Sequence, residues 1–162
     1  MEKLTQSFYE RPAADVAKDL IGRSLIYQGK NERQKAILTE IAAYEGEEKT
    51  TSAGVLFAPG TISLSTKFNQ VLIDIATGKA GKPSCVTLRR ALFDLENKVE
   101  EASGPGILSR KLGINKNNKD LMYGTTAYGN TLWIEGEPAE LSKIRVLKGN
   151  SRNCKGIYRV KF

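Results

Sequence analysis

The residues best suited to chemistry lie in one run of the chain, residues 36–46, where a carboxylate, a small residue and an aromatic ring occupy alternate positions. Successive side chains of a β-strand point to opposite faces, so the even-numbered residues of this run are predicted to share a face. This face carries Leu38, Glu40, Ala42 and Tyr44. Glutamate is rarely buried without a partner, because removing an unpaired charge from water is costly. The pattern is therefore unusual for a core strand and suits the floor of a pocket.

Composition limits the chemistry that such a pocket can carry. The chain has no histidine and two cysteines, Cys85 and Cys154. These counts exclude Ser-His and Cys-His nucleophile schemes and leave too few ligands for a zinc site. Acid–base chemistry must then fall to carboxylates, tyrosine or lysine. The formal net charge of +7 favours a polyanionic partner such as nucleic acid.

Length and hydropathy predict one domain, residues 1–162. No apolar run approaches the roughly 18 residues that span a bilayer, and the N-terminus has no apolar signal core. We therefore expect an intracellular protein without a membrane partner, and a monomer. Its compartment would be the cytoplasm or nucleoid of a bacterium or the nucleus of a eukaryote.

Periodicity predicts the elements that must position these residues. A helix is expected from Pro12 to Ile21, ending at Gly22, and a second from Ile107 to Leu112, ending at Gly113. Alternation predicts strands at residues 23–27, 33–44, 61–65 (or 61–68), 71–76, 84–91, 131–135, 144–147 and 156–162, whereas residues 92–102 are expected to be helical or loop-like. The sequence thus predicts an α+β domain, single and compact, with a curved, mainly antiparallel β-sheet and a few short helices.

Two glycines, Gly104 and Gly106, stand at the start of the second helix. Glycines there can bring backbone amides close to a phosphate, which the helix dipole favours. The alternative is an ordinary capped helix, which spacing alone favours.

Several stretches in order resemble one family. They are FYERP at residues 8–12, VAKDLIG at 16–22, EIAAYEG at 40–46, PGT at 59–61, VTLR at 86–89, SGPGIL at 103–108 and LGIN at 112–115. Together they resemble the alkyladenine (3-methyladenine, methylpurine) DNA glycosylase family. The resemblance implies a curved antiparallel sheet like the barrel of formyltransferase C-terminal domains. It also implies removal of damaged purines from double-stranded DNA in base excision repair, with no metal and no cofactor. Such enzymes flip the target nucleotide out of the duplex, because the N-glycosidic bond cannot be reached inside the stack.

The resemblance assigns roles to the residues of the opening strand. The family's motif Glu-Thr-Glu-Ala-Tyr-x-Gly places its general base, which activates the attacking water, at Ala42. Alanine cannot activate water, and Glu40 lies about 6.6 to 7 Å away along the strand. Tyr44 matches the tyrosine that stacks on the flipped base, and Ile41 joins Ala42 and Tyr44 in the expected base pocket.

The resemblance also implies a DNA-binding set. Phe68 stands at the position of the aromatic wedge that fills the vacated stack, and Asn69 follows it at the hairpin tip. Arg89 matches an arginine close to DNA or the pocket, and Gly104 and Gly106 mark the helix start expected near the backbone.

The alanine at the general-base position, Ala42, predicts a DNA-binding protein that flips or probes damaged purines, with glycosylase chemistry lost or changed. One alternative is an active glycosylase with Glu40, or a loop carboxylate such as Glu47 or Glu48, as the base. An alternative from another class is an RNA-binding or protein-interaction module on the same fold.

Overall fold

The fold is taken from a computed structural model of the protein, which describes residues 2–46, 58–79, 83–115, 117, 121, 125–149, 151 and 153–162. Its helices are α1 (Gln6–Tyr9), α2 (Ala13–Leu20) and α3 (Pro105–Leu112), with a 3-10 helix at Leu141–Lys143. Its strands are β1 (Ser24–Gln28), β2 (Arg33–Glu45), β3 (Ile62–Lys67), β4 (Gln70–Ala76), β5 (Ser84–Leu95), β6 (Lys98–Ala102), β7 (Leu132–Glu135), β8 (Arg145–Leu147) and β9 (Cys154–Arg159).

In the part of the chain that the structure describes, the strands form one nine-stranded sheet in which every named pairing is antiparallel. Its main path runs β3-β4-β5-β2-β1-β7, and β6, β9 and β8 extend it from β5, β2 and β9. The two long strands each change partners along their length: β2 pairs with β1 and then β9, and β5 with β4 and then β6. The sheet therefore curls, and the predicted α+β class with a curved antiparallel sheet is confirmed.

Helix α2 closes one side of the hydrophobic core. Its apolar residues Ala13, Val16, Ala17 and Leu20 are all buried, and it packs against β2, β5 and β9. The Glu45 carboxylate accepts a hydrogen bond from the Ala13 amide at 2.8 Å, which ties the helix start to the end of β2. Gly22 follows the helix with φ at +89°, and a side chain there would meet the Ala139 backbone nitrogen at 2.4 Å. Only glycine fits this close approach.

A bulge in β2 breaks the alternation predicted for the opening strand. The register against β5 shifts on both sides of Glu40. Leu38 therefore packs in the same core as Ile41 and Ala43, and the prediction that Leu38 shares a face with Glu40 is wrong. A bulge inserts one residue and re-aims the side chains that follow it.

The segment expected to be helical or loop-like, residues 92–102, instead forms the β5–β6 hairpin. Ala91, Phe93 and Ala102 are buried. The alternation of buried and exposed side chains therefore makes this segment a pair of strands in spite of its acidic composition. The negative charge of Glu100 is compensated by ion pairs with Lys98 and Lys111.

No helix in the part of the chain that the structure describes is long and apolar enough to cross a membrane. In the same residues, no group of three or more Cys, Asp or Glu side chains is arranged to hold a metal ion.

Candidate base pocket and nucleic-acid interface

A cavity of about 510 Å³ lies among β2, the β3–β4 hairpin, β5 and the start of α3. The residues lining it include Tyr44, Ser65, Phe68, Asp74, Thr87 and Arg89. Its volume falls in the range of small-molecule pockets, roughly 300–1,000 Å³. Three of the predicted site residues, Tyr44, Phe68 and Arg89, thus meet at one cavity.

Strand register explains why these side chains meet. Thr87 on β5 lies opposite Ala42 on one side and Asp74 on the other. Residues directly opposite each other in a sheet share a face, so the three form a row across β2, β5 and β4. The other face of the same strands carries core residues such as Ile73 and Val86.

Asp74 is a completely buried carboxylate at this cavity, and sequence reasoning missed it. Thr87 Oγ1 donates to its Oδ1 at 2.5 Å, and Ser65 Oγ donates to its Oδ2 at 2.8 Å. Burial raises the pKa of Asp74 to about 6, and the two hydrogen bonds oppose this only in part. The available signal was a lone aspartate in the otherwise apolar stretch VLIDIA, residues 71–76.

Tyr44 is half-buried and forms part of the cavity wall. Burial raises the pKa of its phenol, so the side chain stays neutral at physiological pH. A neutral ring at the wall of a cavity can stack on a planar ligand.

Glu40 is 2% exposed and is held by three arginines. Arg89 Nε donates to its Oε2 at 2.9 Å and Arg159 Nε to its Oε1 at 2.5 Å, while Arg90 Nε lies 3.4 Å from Oε1. Burial would raise the pKa of Glu40, but the arginine hydrogen bonds and charges outweigh it and leave the pKa lowered. Both oxygens are therefore engaged, and the carboxylate anchors Arg89 at the cavity. Its role as a base stays a prediction.

The remaining residues predicted for the base pocket lie deeper in the sheet. Ala42 is completely buried, and its partners in the neighbouring strands are Thr87 and Ile157. Because the residue is alanine, this position offers no carboxylate. Ile41 belongs to the hydrophobic core on the opposite face. The loop carboxylates considered as alternative bases, Glu47 and Glu48, lie outside the described residues.

Phe68 and Asn69 form the two-residue turn of the β3–β4 hairpin. Their φ angles are +52° and +61°, the left-handed pair that a type I′ hairpin requires. Phenylalanine rarely adopts this conformation, and a non-glycine residue held there stores of order 1–3 kcal/mol of strain. The Phe68 side chain is nevertheless 86% exposed. An exposed, strained aromatic side chain at a hairpin tip is a candidate for insertion into the base stack of a nucleic acid.

The two glycines at the start of α3 differ in their surroundings. Gly104 is the N-cap in an extended conformation with open space around it. Gly106 packs against Gln70 of β4, and a Cβ there would lie 2.6 Å from Gln70 Cδ. Packing alone accounts for Gly106, and a DNA contact by either glycine stays a prediction.

Comparison with known proteins identifies the family. A family model for methylpurine-DNA glycosylase matches residues 7–150. A relative from Anaeromyxobacter sp. (strain Fw109-5), named "Putative 3-methyladenine DNA glycosylase", is 29% identical over 153 residues, which cover 88% of this chain and 77% of the relative. A relative of the same name from Legionella pneumophila (strain Lens) is 30% identical over 148 residues, covering 81% and 80%. A third, from Listeria monocytogenes serovar 1/2a (strain ATCC BAA-679 / EGD-e), is 26% identical over 156 residues, covering 82% and 73%. The family model spans most of the chain, which confirms the resemblance, and the chain belongs to the methylpurine-DNA glycosylase family.

Proposed function

We propose that the protein acts in base excision repair by binding double-stranded DNA, turning a damaged purine out of the stack and holding it in the cavity beside Tyr44. The observation that carries this proposal is the meeting of Tyr44, Phe68 and Arg89 at one cavity of about 510 Å³. The relatives named 3-methyladenine DNA glycosylase support the same class of lesion.

The hairpin supplies the part that would enter the duplex. Phe68 is 86% exposed at the turn and also lines the rim of the cavity. An apolar wedge that enters a base step unstacks it, and the displaced nucleotide needs a pocket close by. Phe68 would therefore displace the base from the stack, and Tyr44 would provide the surface on which the displaced base stacks.

Basic residues support DNA as the partner. The chain carries a formal net charge of +7, and Lys67 and Arg89 both line the cavity. Lysine and arginine near the mouth of a pocket can contact phosphates, which position the duplex without reading its sequence. A protein acting on chromosomal DNA would work, as a monomer, in the cytoplasm or nucleoid of a bacterium or the nucleus of a eukaryote.

We propose further that hydrolysis of the N-glycosidic bond is weak or absent. A general base must lie within hydrogen-bond reach of the attacking water, and the position that carries the base in the resemblance is Ala42. Glu40 is a poor substitute, because arginines occupy both of its oxygens and hold its pKa below the usual range. The alternative remains an active glycosylase that uses Glu40 or a loop carboxylate.

The test combines binding and chemistry. Affinity is measured for a duplex with one abasic-site analogue, for the undamaged duplex and for a structured RNA at the same salt concentration. Single-turnover release of free base is measured from duplexes containing alkylated adenine or hypoxanthine. We expect preference for the abasic duplex, little base release, and loss of that preference in Phe68→Ala. The matched control is Phe162→Ala, which removes another aromatic that is 70% exposed.

Two results would overturn parts of the proposal. Robust base release that collapses in Glu40→Gln, with stability corrected for, would show an active enzyme with Glu40 as its base. Tighter binding to RNA than to either duplex would favour the RNA-binding alternative.

A further inference from the structure

We propose that Asp74 makes the cavity selective for purines that carry a positive charge, such as those alkylated at N3 or N7, over neutral purines. The inference deepens the function proposed above and rests on it, because it takes the cavity to be the site that receives the base.

Within the described part of the chain, the Asp74 carboxylate has no cationic side chain as a partner. It is 0% exposed, and its two hydrogen bonds come from the neutral hydroxyls of Ser65 and Thr87. Among the residues that the structure describes, no Lys or Arg nitrogen forms an ion pair with it within 4 Å. A buried charge without a partner is destabilising, so a cationic ligand would supply the missing interaction.

The other titratable and charged groups around the cavity do not take this role. Arg89 is engaged with Glu40 at 2.9 Å, and the Lys67 ammonium lies 5.8 Å from the centre of the Phe68 ring at the hairpin tip. Tyr44 and Cys85 complete the titratable groups that line the cavity from β2 and β5. The Tyr44 phenol stays neutral because burial raises its pKa. Asp74 thus supplies the buried negative charge of this cavity.

Depth decides which part of the nucleotide Asp74 would meet. The sugar of a flipped nucleotide stays joined to the DNA backbone outside the protein, whereas its base reaches the interior. Asp74 is fully buried and lies two strands from Ala42, about 9–10 Å at the usual strand spacing. The carboxylate is therefore placed to act on the base and not on the water that attacks the sugar.

The consequence is selective binding and not faster hydrolysis. An N-alkylated purine is positively charged while bonded to the sugar, and bond cleavage moves that charge onto the sugar as the base leaves neutral. A carboxylate beside the base then stabilises the bound ground state at least as well as the transition state, so it raises affinity without raising the rate. Burial also places the pKa of Asp74 at about 6, so the charge is present at neutral pH and is lost as the pH falls.

The test uses two duplexes that differ by one ring atom. One contains a single N7-methylguanine, which is positively charged, and the other contains 7-methyl-7-deazaguanine, its neutral isostere. We expect the wild-type protein to bind the charged base at least about tenfold more tightly at neutral pH, since an ion pair with low exposure contributes this much or more. Asp74→Asn should abolish the preference, so that the two duplexes bind with affinities equal to within about twofold.

A second measurement needs only the wild-type protein. Lowering the pH from 7.5 to 5 protonates Asp74 and should erase most of the preference, even though the methylated guanine becomes more positively charged. A wild-type protein that binds both duplexes equally, or a preference that persists in Asp74→Asn, overturns the inference. If abasic-site binding still depends on Phe68, these failures leave the proposed function standing; if it does not, the proposed function itself fails.

Discussion

Replacing Asp74 by asparagine should stabilise the folded protein at neutral pH. The pKa of this carboxyl rises from 3.8 in the unfolded chain to about 6 in the fold. A shift of one unit corresponds to about 1.4 kcal/mol, so keeping Asp74 ionised in the folded state costs about 3 kcal/mol. Asparagine has the same shape and keeps an oxygen that can accept from Thr87 or Ser65, without the charge.

The sign of the pH dependence follows from the raised pKa. Below 3.8 the carboxyl is protonated in both states, and the full stability of the neutral group is present. That stability is lost as the pH rises to about 6, because the unfolded chain releases the proton more easily. The advantage of Asp74→Asn over the wild type should therefore grow by roughly 2–3 kcal/mol between pH 4 and pH 7.5.

Urea unfolding of both proteins at pH 4, 5, 6 and 7.5 measures this difference directly. The matched control is Asp94→Asn, the same substitution at an exposed aspartate on β5, and the effect of Asp74→Asn is compared with it at each pH. If the Asp74→Asn difference is flat across this range, or if the variant is less stable than the wild type at pH 7.5, the carboxylate is not an uncompensated buried charge.

Three further substitutions test other parts of the structure. Glu40→Gln should lower the free energy of unfolding by about 3 kcal/mol, because it leaves Arg89 and Arg159 packed together without their anion; wild-type stability in urea would contradict this. Phe68→Gly should be more stable than Phe68→Ala by about 1 kcal/mol, since only glycine adopts a φ of +52° without strain; equal thermal midpoints would show that the turn relaxes. Gly106→Ala should destabilise by about 1–3 kcal/mol through overlap with Gln70, and Gln70→Ala, which removes Cγ and Cδ but keeps Cβ at 2.9 Å, should restore part of that loss; a neutral single variant would rule out the close packing of α3 on β4.

Periodicity predicted most of the fold. The helix before Gly22 and the strands around residues 33–45 and 70–76 follow from apolar spacing and turn residues. The β5–β6 hairpin was missed because acidic composition weighed against a strand, although Phe93 and Ala102 alternate with polar neighbours. The bulge at Glu40 could not be predicted, because Glu40 has apolar residues on both sides, Ala36 to Leu38 and Ile41 to Ala43, and the sequence does not show where one residue is inserted into the pairing.

The candidate site was predicted only in part, for a reason of sequence distance. Tyr44 and Phe68 could be proposed from local pattern and resemblance, and both line the cavity. The partners of Glu40 lie 49 and 119 residues away at Arg89 and Arg159, so only strand register brings them together. Asp74 joins the site in the same way, through its place opposite Thr87. No property of one strand alone reveals which residues its neighbours present.

The proposed function requires that the cavity receives a purine turned out of double-stranded DNA. A crystal structure of the protein bound to a duplex containing 3-methyl-3-deazaadenine, a hydrolysis-resistant analogue of 3-methyladenine, tests it most directly. We expect the purine in the cavity against Tyr44, with Phe68 in the vacated position of the stack. A purine that remains paired within the duplex while the protein is bound, with the cavity empty, would contradict it.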